Sequence, residues 1–316
     1  MYIVTGATGH IGNTLVRLLL EKKVELKILA RQFGPALANL DVEIILGDIF
    51  DTNFLKSVVK SDDIFIHLAG LIDLTNKQIS ESYRINSDGT KIIADFCLSN
   101  HNKLIYTSSV DAIFKDDKSS DVYEPTDFYP KRFKNVYSAS KAEGTAYIYE
   151  LMQTKGLNAV ILYPSAVIGP NDFKPSAAGK EICSCITKRL FLYIKGGYNF
   201  IDVRDTANAI YNASLLHTAG CYILSGHPVT IKEFYQEIAK ILGKKVFLVR
   251  VPVWLARIGA MFMHDVSNMM VDALIDNYHY INEKMKKDLL PELIPFETTV
   301  NDTITWFKKN TNRQSD

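Results

Sequence analysis

The sequence predicts an α/β protein with a doubly wound parallel sheet and a smaller, mostly helical C-terminal part. In the first 165 residues, short β-branched runs alternate with amphipathic helical stretches, and this order is typical of parallel sheets covered by helices. The strand-like runs are continuously apolar, as expected when both faces of a strand are buried. Such a sheet binds its ligands beyond the carboxyl ends of its strands.

The elements follow one another in a regular order. The expected strands are Tyr2–Thr5, Val24–Leu29, Val42–Leu46, Ile64–His67, Lys103–Thr107 and Ala159–Tyr163, then Phe200–Val203, Cys221–Leu224 and Val246–Val249. The expected helices are Ile11–Glu21, Thr52–Val59, Ser80–Ser99, Val136–Thr154, Arg204–His217 and Ile231–Leu242. Proline and glycine loosen the pattern after Tyr163. We therefore predict two interleaved domains, a dinucleotide-binding one of residues 1–165 and 198–226 and a substrate one of 166–197 and 227–316.

Composition excludes several classes of protein. The 316 residues carry 36 Lys and Arg against 35 Asp and Glu, so net charge favours neither nucleic acid nor an acidic membrane as the main partner. A local binding patch is left open. Four cysteines are too few for a disulfide scaffold in a chain of this length, and no metal site is expected. The pattern contains neither a leader nor a spanning segment, which predicts a cytoplasmic protein without a membrane partner.

A glycine-rich loop predicts a dinucleotide site. The segment from Thr5 to Gly12 follows the first strand with the spacing G-x-x-G-x-x-G, one residue different from the common dinucleotide fingerprint. Gly6 and Gly9 would let the backbone approach a pyrophosphate, and the helix N-terminus would offer it N–H groups. A glycine-rich turn without a ligand is the alternative. The predicted contacts are Gly6, Thr8, Gly9, His10, Ile11 and Gly12.

The residue after the second strand bears on the choice of cofactor. An acidic residue there holds the ribose 2′-hydroxyl of NAD, whereas an arginine accommodates the 2′-phosphate of NADP. This chain has Arg31, which favours NADP with NAD left possible; a solvated surface arginine is the alternative. Asp48 and Ile49 follow the third strand on the same side. The Asp48 carboxylate is expected either to accept from the adenine amino group or to cap the helix near Asp51.

Three side chains predict acid–base chemistry. Tyr137 and Lys141 lie four residues apart on one helix face. A neighbouring ammonium lowers the pKa of a phenol, and each pKa unit corresponds to about 1.4 kcal/mol of interaction free energy. Lys141 can also hold the nicotinamide ribose. Ser109 ends the fifth strand, where its hydroxyl can donate to a substrate oxygen; a strand-end serine turn is the alternative.

Together these motifs resemble the extended short-chain dehydrogenase/reductase superfamily, whose core is a Rossmann fold. The motifs that carry the resemblance are Thr5–Gly12, Gly47-Asp48, His67–Gly70, Asn86, Tyr106–Ser109, Tyr137 with Lys141, Tyr163–Pro170 and Phe200–Asp205. The resemblance implies that Ser109, Tyr137 and Lys141 form the catalytic triad and that the chain is a homodimer, paired through the helices near Ser80–Ser99 and Val136–Thr154. It further implies cofactor contacts near the nicotinamide from Leu68, Ala69, Gly70, Pro164 and Val167.

Within that superfamily the chain is most similar to the dihydroflavonol-4-reductase-like branch, without an implied flavonoid substrate. We expect an NADP-dependent oxidoreductase that reduces a carbonyl or oxidises an alcohol of a small substrate. A nucleotide-sugar epimerase or dehydratase with tightly held NAD(P) is the alternative, and a non-catalytic dinucleotide sensor is the second alternative.

The supply of arginines bears on that choice, because a buried diphosphate needs cationic or N–H donors. The arginines beyond Ser165 are Arg189, Arg204, Arg250, Arg257 and Arg313. Arg189 and Arg250 are expected to be the freest of these. This thin supply favours an uncharged or modestly polar carbonyl substrate. The stretch Asp111–Lys134 is expected to form a substrate loop, with Phe114, Glu124 and Tyr129 near the pocket.

Overall fold

The computed structural model describes residues 1–38, 40–115, 121–262, 268–276 and 278–311. Its strands are β1 (Tyr2–Thr5), β2 (Leu26–Ala30), β3 (Glu43–Leu46), β4 (Ile64–His67), β5 (Lys103–Thr107), β6 (Asp121–Val122), β7 (Ala159–Pro164), β8 (Ala166–Ile168), β9 (Leu190–Tyr193), β10 (Gly197–Asp202), β11 (Gly220–Leu224), β12 (His227–Thr230), β13 (Phe247–Arg250) and β14 (His279–Tyr280).

Helices connect most of these strands. They are α1 (His10–Glu21), α2 (Thr52–Val58), α3 (Ile79–Tyr83), α4 (Thr90–Ser99), α5 (Val136–Lys155), α6 (Ala177–Thr187), α7 (Val203–Leu215), α8 (Ile231–Ile241), α9 (Val253–Phe262), α10 (Asn268–Asp276), α11 (Glu283–Asp288) and α12 (Phe296–Thr311). A π-helical segment, Arg84–Gly89, joins α3 to α4, where the sequence predicted one continuous helix.

Seven strands form one parallel sheet in the order β11-β7-β5-β4-β1-β2-β3. β1 pairs with β2 on one side and with β4 on the other, so the strand order reverses at β1. In an open α/β sheet, ligands bind beyond the carboxyl ends of the strands at such a reversal. The predicted doubly wound parallel sheet is confirmed.

The core lies on both faces of this sheet, because alternate residues of each strand point to opposite sides. Val4 and Ile66 pack with Leu15 of α1 and Ile210 of α7 on one face. On the other face, Ile3 and Phe65 pack with residues of α4 and α5, among them Ile93, Ile148 and Leu151. Burial on both sides explains why these strands are continuously apolar.

Smaller sheets lie outside the large one. β10 pairs in parallel with β8 and antiparallel with β12, whereas β9 pairs with β13 and β6 pairs with β14. A third apolar cluster, which includes Phe200 and Phe234, packs between the first of these sheets and helices α6, α8 and α12. β10 therefore lies apart from the large sheet, although the sequence assigned residues 198–226 to the first domain; the division into two domains stays a prediction.

Some features are absent from the part of the chain that the structure describes. None of its helices combines the length and apolarity that crossing a membrane requires. The same residues contain no group of three or more His, Cys, Asp or Glu side chains arranged to hold a metal ion. All four cysteines are free thiols.

Candidate active site

The loop after β1 has a backbone that only glycine fits. Gly6 has a φ of +76°, and a Cβ atom there would lie 2.5 Å from the carbonyl carbon of Leu68. A Cβ atom on Gly12 would lie 2.2 Å from the Gly6 carbonyl oxygen. The loop thus lies directly against Leu68 and Ala69 at the end of β4, and α1 packs closely on β1.

The N-terminus of α1 has no side-chain cap. Gly9 is its N-cap and supplies no side-chain hydrogen bond, so the first N–H groups of the helix lack a side-chain acceptor. Thr8 and Gly9 are exposed, whereas Ile11 is half-buried against the core. The His10 ring bonds to the carbonyl oxygen of Pro170 at 2.9 Å, and burial lowers the pKa of His10. The loop fits a pyrophosphate group.

Two arginines lie near the ends of β2 and β3. The Arg31 side chain is 64% exposed, and its guanidinium lies 3.8 Å from the Glu81 carboxylate. Arg84, which sequence reasoning missed, lies 3.3 Å from Glu81 and 3.6 Å from the Asp48 carboxylate. Its guanidinium also stacks 4.2 Å from the centre of the Phe50 ring. No local sequence signal marks Arg84, because the π-helical segment brings it here from another part of the chain.

One of the two roles expected for Asp48 is wrong. Asp51 caps α2, since its carboxylate accepts from the N–H groups of Asn53 and Phe54. The Asp48 carboxylate instead accepts from the Phe50 N–H at 3.1 Å and faces Arg84. Ile49, the other contact predicted here, is half-buried. The predicted adenine contact of Asp48 stays a prediction.

The three predicted catalytic residues meet beside the end of β5. Ser109, Tyr137 and Lys141 are all buried, with exposures of 7%, 7% and 4%, and the Ser109 hydroxyl lies beside the Tyr137 phenol, whose pKa it lowers. The Lys141 ammonium donates to the Tyr106 hydroxyl at 3.2 Å and to the Thr107 carbonyl oxygen at 2.7 Å. Ser109 also accepts from the Asp111 N–H at 3.1 Å, so the strand-end turn proposed as its alternative is present as well.

The expected electrostatic effect of Lys141 on Tyr137 is not found. Burial of the phenol raises the pKa of Tyr137 well above its ordinary value, the Asp111 carboxylate raises it further, and the Ser109 bond offsets only part of this. The physical reason is that the Lys141 ammonium is directed to Tyr106 and Thr107 on β5. Burial and the Asp111 carboxylate therefore both favour the protonated form of Tyr137.

Asn86 fastens the loop after β4 to the catalytic helix. Its side-chain oxygen accepts from the Leu71 N–H at 2.8 Å, and its amide nitrogen donates to the Leu71 carbonyl oxygen at 2.9 Å and to the Ser140 hydroxyl at 3.1 Å. At the exposed Gly70, a Cβ atom would lie 3.6 Å from the Lys141 ammonium. Of the predicted nicotinamide contacts Leu68, Ala69 and Gly70, Gly70 thus adjoins Lys141, and the contacts themselves stay predictions.

The other two residues predicted near the nicotinamide lie on the next strands along the chain. Pro164 ends β7 and is buried. Val167 lies in β8 opposite Ile201 and is half-buried against the core. Neither of these apolar side chains can form a hydrogen bond. Their predicted contacts with the nicotinamide stay predictions.

A polar group of side chains that the sequence did not reveal lies beside the triad. The Lys115 ammonium donates to the Val110 carbonyl oxygen at 2.8 Å and lies 5.3 Å from the centre of the Tyr280 ring; burial lowers the pKa of Lys115 to about 8. Burial also raises the pKa of Tyr198 and Tyr280, and the Asp111 carboxylate raises both further. We call Asp111, Lys115, Tyr198 and Tyr280 the tyrosine cluster.

The expected substrate loop, Asp111–Lys134, contributes to the site through other residues than predicted. Its residues 116–120 lie outside the described residues. Glu124 is not a pocket residue, because its carboxylate accepts from the Ile223 N–H at 2.9 Å, at the edge of the large sheet. Phe114 packs edge-on against Tyr129 and under the Arg132 guanidinium. The contribution to the site therefore comes from the start of the segment, Asp111 and Lys115.

Two of the C-terminal arginines have carboxylate partners. Arg204 binds Asp202 and Asp302, and Arg257 binds Asp272 at 2.6 Å. Arg313 lies outside the described residues. Arg189 and Arg250, expected to be the freest, are exposed next to β9 and in β13.

Known proteins resemble this chain along most of its length. A family model described as the NAD dependent epimerase/dehydratase family matches residues 2–219. The chain is 29% identical over 262 residues to a putative dihydroflavonol 4-reductase of Synechocystis sp., covering 80% of this chain and 76% of that one. It is 24% identical over 341 residues to a 3-beta-hydroxysteroid dehydrogenase of Mycolicibacterium neoaurum, covering 96% and 92%.

Solved structures share the fold. The crystal structure of gox2253 matches with a TM-score of 0.85 and 25% identity, over 98% of both chains. A dTDP-glucose 4,6-dehydratase, DesIV of Streptomyces venezuelae with NAD bound, matches with a TM-score of 0.80 and 18% identity, over 99% of this chain and 98% of that one; that likeness shows the fold alone. The predicted superfamily and the prediction of an enzyme are confirmed: the chain belongs to the NAD dependent epimerase/dehydratase family and is an NAD(P)-dependent enzyme.

Proposed function

We propose that this enzyme reduces the carbonyl group of a small organic substrate with NADPH, using Ser109, Tyr137 and Lys141 as its catalytic residues. The observation that carries the proposal is the meeting of three buried side chains, those of Ser109, Tyr137 and Lys141, beside the end of β5. A protonated phenol beside the Ser109 hydroxyl offers two O–H donors to one carbonyl oxygen, which is what reduction requires.

The three residues have separate tasks in this reaction. The bound cofactor supplies the hydride. Tyr137 donates its proton to the substrate oxygen as charge develops there, and Ser109 holds that oxygen through a hydrogen bond. Lys141, fixed by Thr107 and Tyr106, directs its remaining N–H donor capacity to the cofactor ribose.

The proposed preference for NADP rests on the ends of β2 and β3. Arg31 follows β2 where NAD-specific folds have a carboxylate, and Arg84 approaches the same Glu81 carboxylate. Both guanidinium groups are partly exposed and can form forked, charge-assisted bonds to a 2′-phosphate. Exposed ion pairs such as those with Glu81 are weak, about 0–1 kcal/mol, so a phosphate can replace them.

The tyrosine cluster supports a substrate with polar groups besides its carbonyl. Its Asp111 carboxylate lies beside Ser109 and Tyr137, and its ammonium and hydroxyl groups lie near that carboxylate, where substrate hydroxyls would find partners. The relatives named as a dihydroflavonol reductase and a hydroxysteroid dehydrogenase favour an alcohol or ketone on a ring system. Arg204 and Arg257 are engaged with carboxylates and so are not available to a sugar diphosphate.

The oligomeric state is a further part of the proposal. We propose a homodimer paired through α4 and α5, which static light scattering of the purified protein tests directly. A monomeric mass at micromolar concentration would contradict it. The two-domain division and the cytoplasmic location stay predictions.

The test of the reaction is a substrate panel. Purified protein is incubated with NADPH and small ketones and aldehydes, with hydroxylated cyclic ketones included, and in parallel with UDP-, GDP- and dTDP-sugars. We expect oxidation of one NADPH per carbonyl reduced and no conversion of any sugar nucleotide. Sugar conversion without net consumption of cofactor would refute the reductase proposal and establish the epimerase alternative.

A matched pair of variants tests the triad. Tyr137→Phe removes the transferable proton and keeps the ring, so turnover should fall by at least about 100-fold while NADPH still binds. Tyr149→Phe makes the same change elsewhere on α5 and should leave turnover unchanged. Lys141→Met should weaken both turnover and binding. Near-normal turnover by Tyr137→Phe would show that another group transfers the proton.

A further inference from the structure

An apolar surface faces solvent on the small β9–β13 sheet and on the helix that follows it. Leu190 and Leu192 of β9 lie opposite Phe247 and Val249 of β13, and all four are exposed, Phe247 by 67%. β13 leads into α9, whose outer residues Trp254, Leu255 and Ile258 are exposed by 64%, 45% and 46%. We call these seven residues the apolar face.

The seven residues of the apolar face are different from the residues that pack β9, β13 and α9 into the core. In the strand pair, Phe191 and Leu248, which alternate with the exposed residues, pack into the third core cluster. In α9, Val253, Ala256 and Ala260 pack against Ile194. A strand pair or helix at a protein surface normally carries polar residues on its outer side. Exposed apolar patches of this kind mark binding surfaces.

Basic residues surround the apolar face. Residues 188–195 and 244–258, which contribute all of it, contain seven Lys and Arg and neither Asp nor Glu, in a chain whose net charge is only +1. Lys188, Arg189, Lys245 and Arg250 are exposed. The near-neutral net charge of the whole chain therefore conceals one strongly basic region.

A cationic cavity lies within this region. It has a volume of about 250 Å³ and is lined by Lys195, Lys232 and Arg250 together with Tyr193, Ile194, Gly196 and Thr230. Among the residues that the structure describes, none of these three cations forms an ion pair with a carboxylate. Three such cations around one cavity suit a phosphate-bearing headgroup.

We propose that the apolar face and its basic surround dock the enzyme on the surface of a bilayer that contains anionic phospholipid. Trp and Leu side chains enter the boundary between headgroups and acyl chains, while Lys and Arg contact the headgroup phosphates. A second copy of the chain is a poorer occupant. A two-fold interface places the same patch on both sides and would bring two copies of the same basic region together.

The location of the cavity connects this docking to the active-site end of the molecule. Lys195 and Gly196 lead directly into β10, which carries Tyr198 of the tyrosine cluster. An enzyme held at a bilayer through this region would meet substrates that partition into lipid. The docking itself does not depend on which carbonyl compound is reduced, so it can be tested separately.

Co-sedimentation with vesicles tests the proposal on the full chain. We expect binding to vesicles of phosphatidylcholine with one-quarter phosphatidylglycerol, little binding to phosphatidylcholine alone, and loss of binding in 0.5 M NaCl, which screens surface charge. The double variant Lys195→Gln/Arg250→Gln should bind about 25-fold more weakly, at about fivefold per charge. Trp254→Ser/Ile258→Ser should bind weakly at any salt concentration.

Matched variants outside the region separate docking from general effects. Lys23→Gln/Lys56→Gln removes two exposed charges and Leu215→Ser removes an exposed apolar side chain, and both should bind vesicles as the unaltered protein does. Melting temperatures should agree for all variants. Equal binding to neutral and anionic vesicles, absence of vesicle binding, or a dimer that Trp254→Ser dissociates would each overturn the proposal.

Discussion

Gly12→Ala is expected to damage cofactor binding through the backbone of the phosphate loop. The added Cβ atom would lie 2.2 Å from the Gly6 carbonyl oxygen, 2.8 Å from the Gly6 carbonyl carbon and 2.9 Å from the Ala7 Cα atom. All three neighbours are backbone atoms, so no side chain can turn aside. Reaching the 3.0 Å that real Cβ contacts respect requires α1 and the loop to separate by at least about 0.8 Å.

The expected magnitude follows from that displacement. Overpacking of this kind costs about 1–3 kcal/mol of stability. A shift near 1 Å also moves the α1 N–H groups away from the pyrophosphate, and misplacements of this size cost up to about 100-fold. Because the altered atom touches neither Tyr137 nor Lys141, we expect the dissociation constant of NADPH to rise about 10- to 100-fold while the triad stays intact.

Fluorescence titration with NADPH and thermal melting measure the two effects. Gly259→Ala is the matched control, because a Cβ atom there meets no atom within 4 Å. It replaces glycine within α9 and should stabilise the protein by about 0.5–1 kcal/mol. Binding of NADPH by Gly12→Ala within twofold of the unaltered protein would refute the close-packing role given to this glycine.

Three further predictions test other parts of the molecule. Arg31→Ala should reduce the rise in melting temperature that NADPH produces and leave the rise with NADH unchanged; equal losses with both cofactors would count against a 2′-phosphate contact. Asp111→Asn should lower the pKa of Tyr137, because it removes the carboxylate that helps to raise it, so the rate of alcohol oxidation should reach its maximum at lower pH. An unchanged pH profile would contradict this coupling. Thr230→Ala should cost about 1 kcal/mol of stability, because Thr230 and Glu233 form a capping box at the start of α8; urea denaturation measures this, and an unchanged midpoint would show that the box contributes nothing.

The sequence by itself determined the large sheet and the loops at its edge. The bounds of β1, β4 and β5 agree with the predicted runs, because strands buried on both faces must be apolar throughout and this leaves a local signal. The glycine loop was equally predictable from the sequence, because a positive φ at Gly6 and the close contact at Gly12 restrict each position to one residue type. The triad positions came from spacing on one helix and from the end of one strand.

Only the tertiary structure decided the environment of those residues. Tyr137 has a raised pKa because of burial and the Asp111 carboxylate, and Lys141 is held by Tyr106 and Thr107. The tyrosine cluster joins Asp111 and Lys115 to Tyr198 and Tyr280 from distant parts of the chain. Charge effects and burial depend on distances between such residues, and no local pattern of sequence records those distances.

The small sheets, too, were decided by the tertiary structure and not by the sequence pattern. β8 and β12 flank β10, and their short, half-exposed segments carried too little hydrophobic pattern to predict. The apolar face was also invisible in sequence, because alternation predicts which residues share a side and not which side meets solvent. Folding placed Leu190, Leu192, Phe247 and Val249 outward, since the inward side was already filled by Phe191 and its neighbours in the third core cluster.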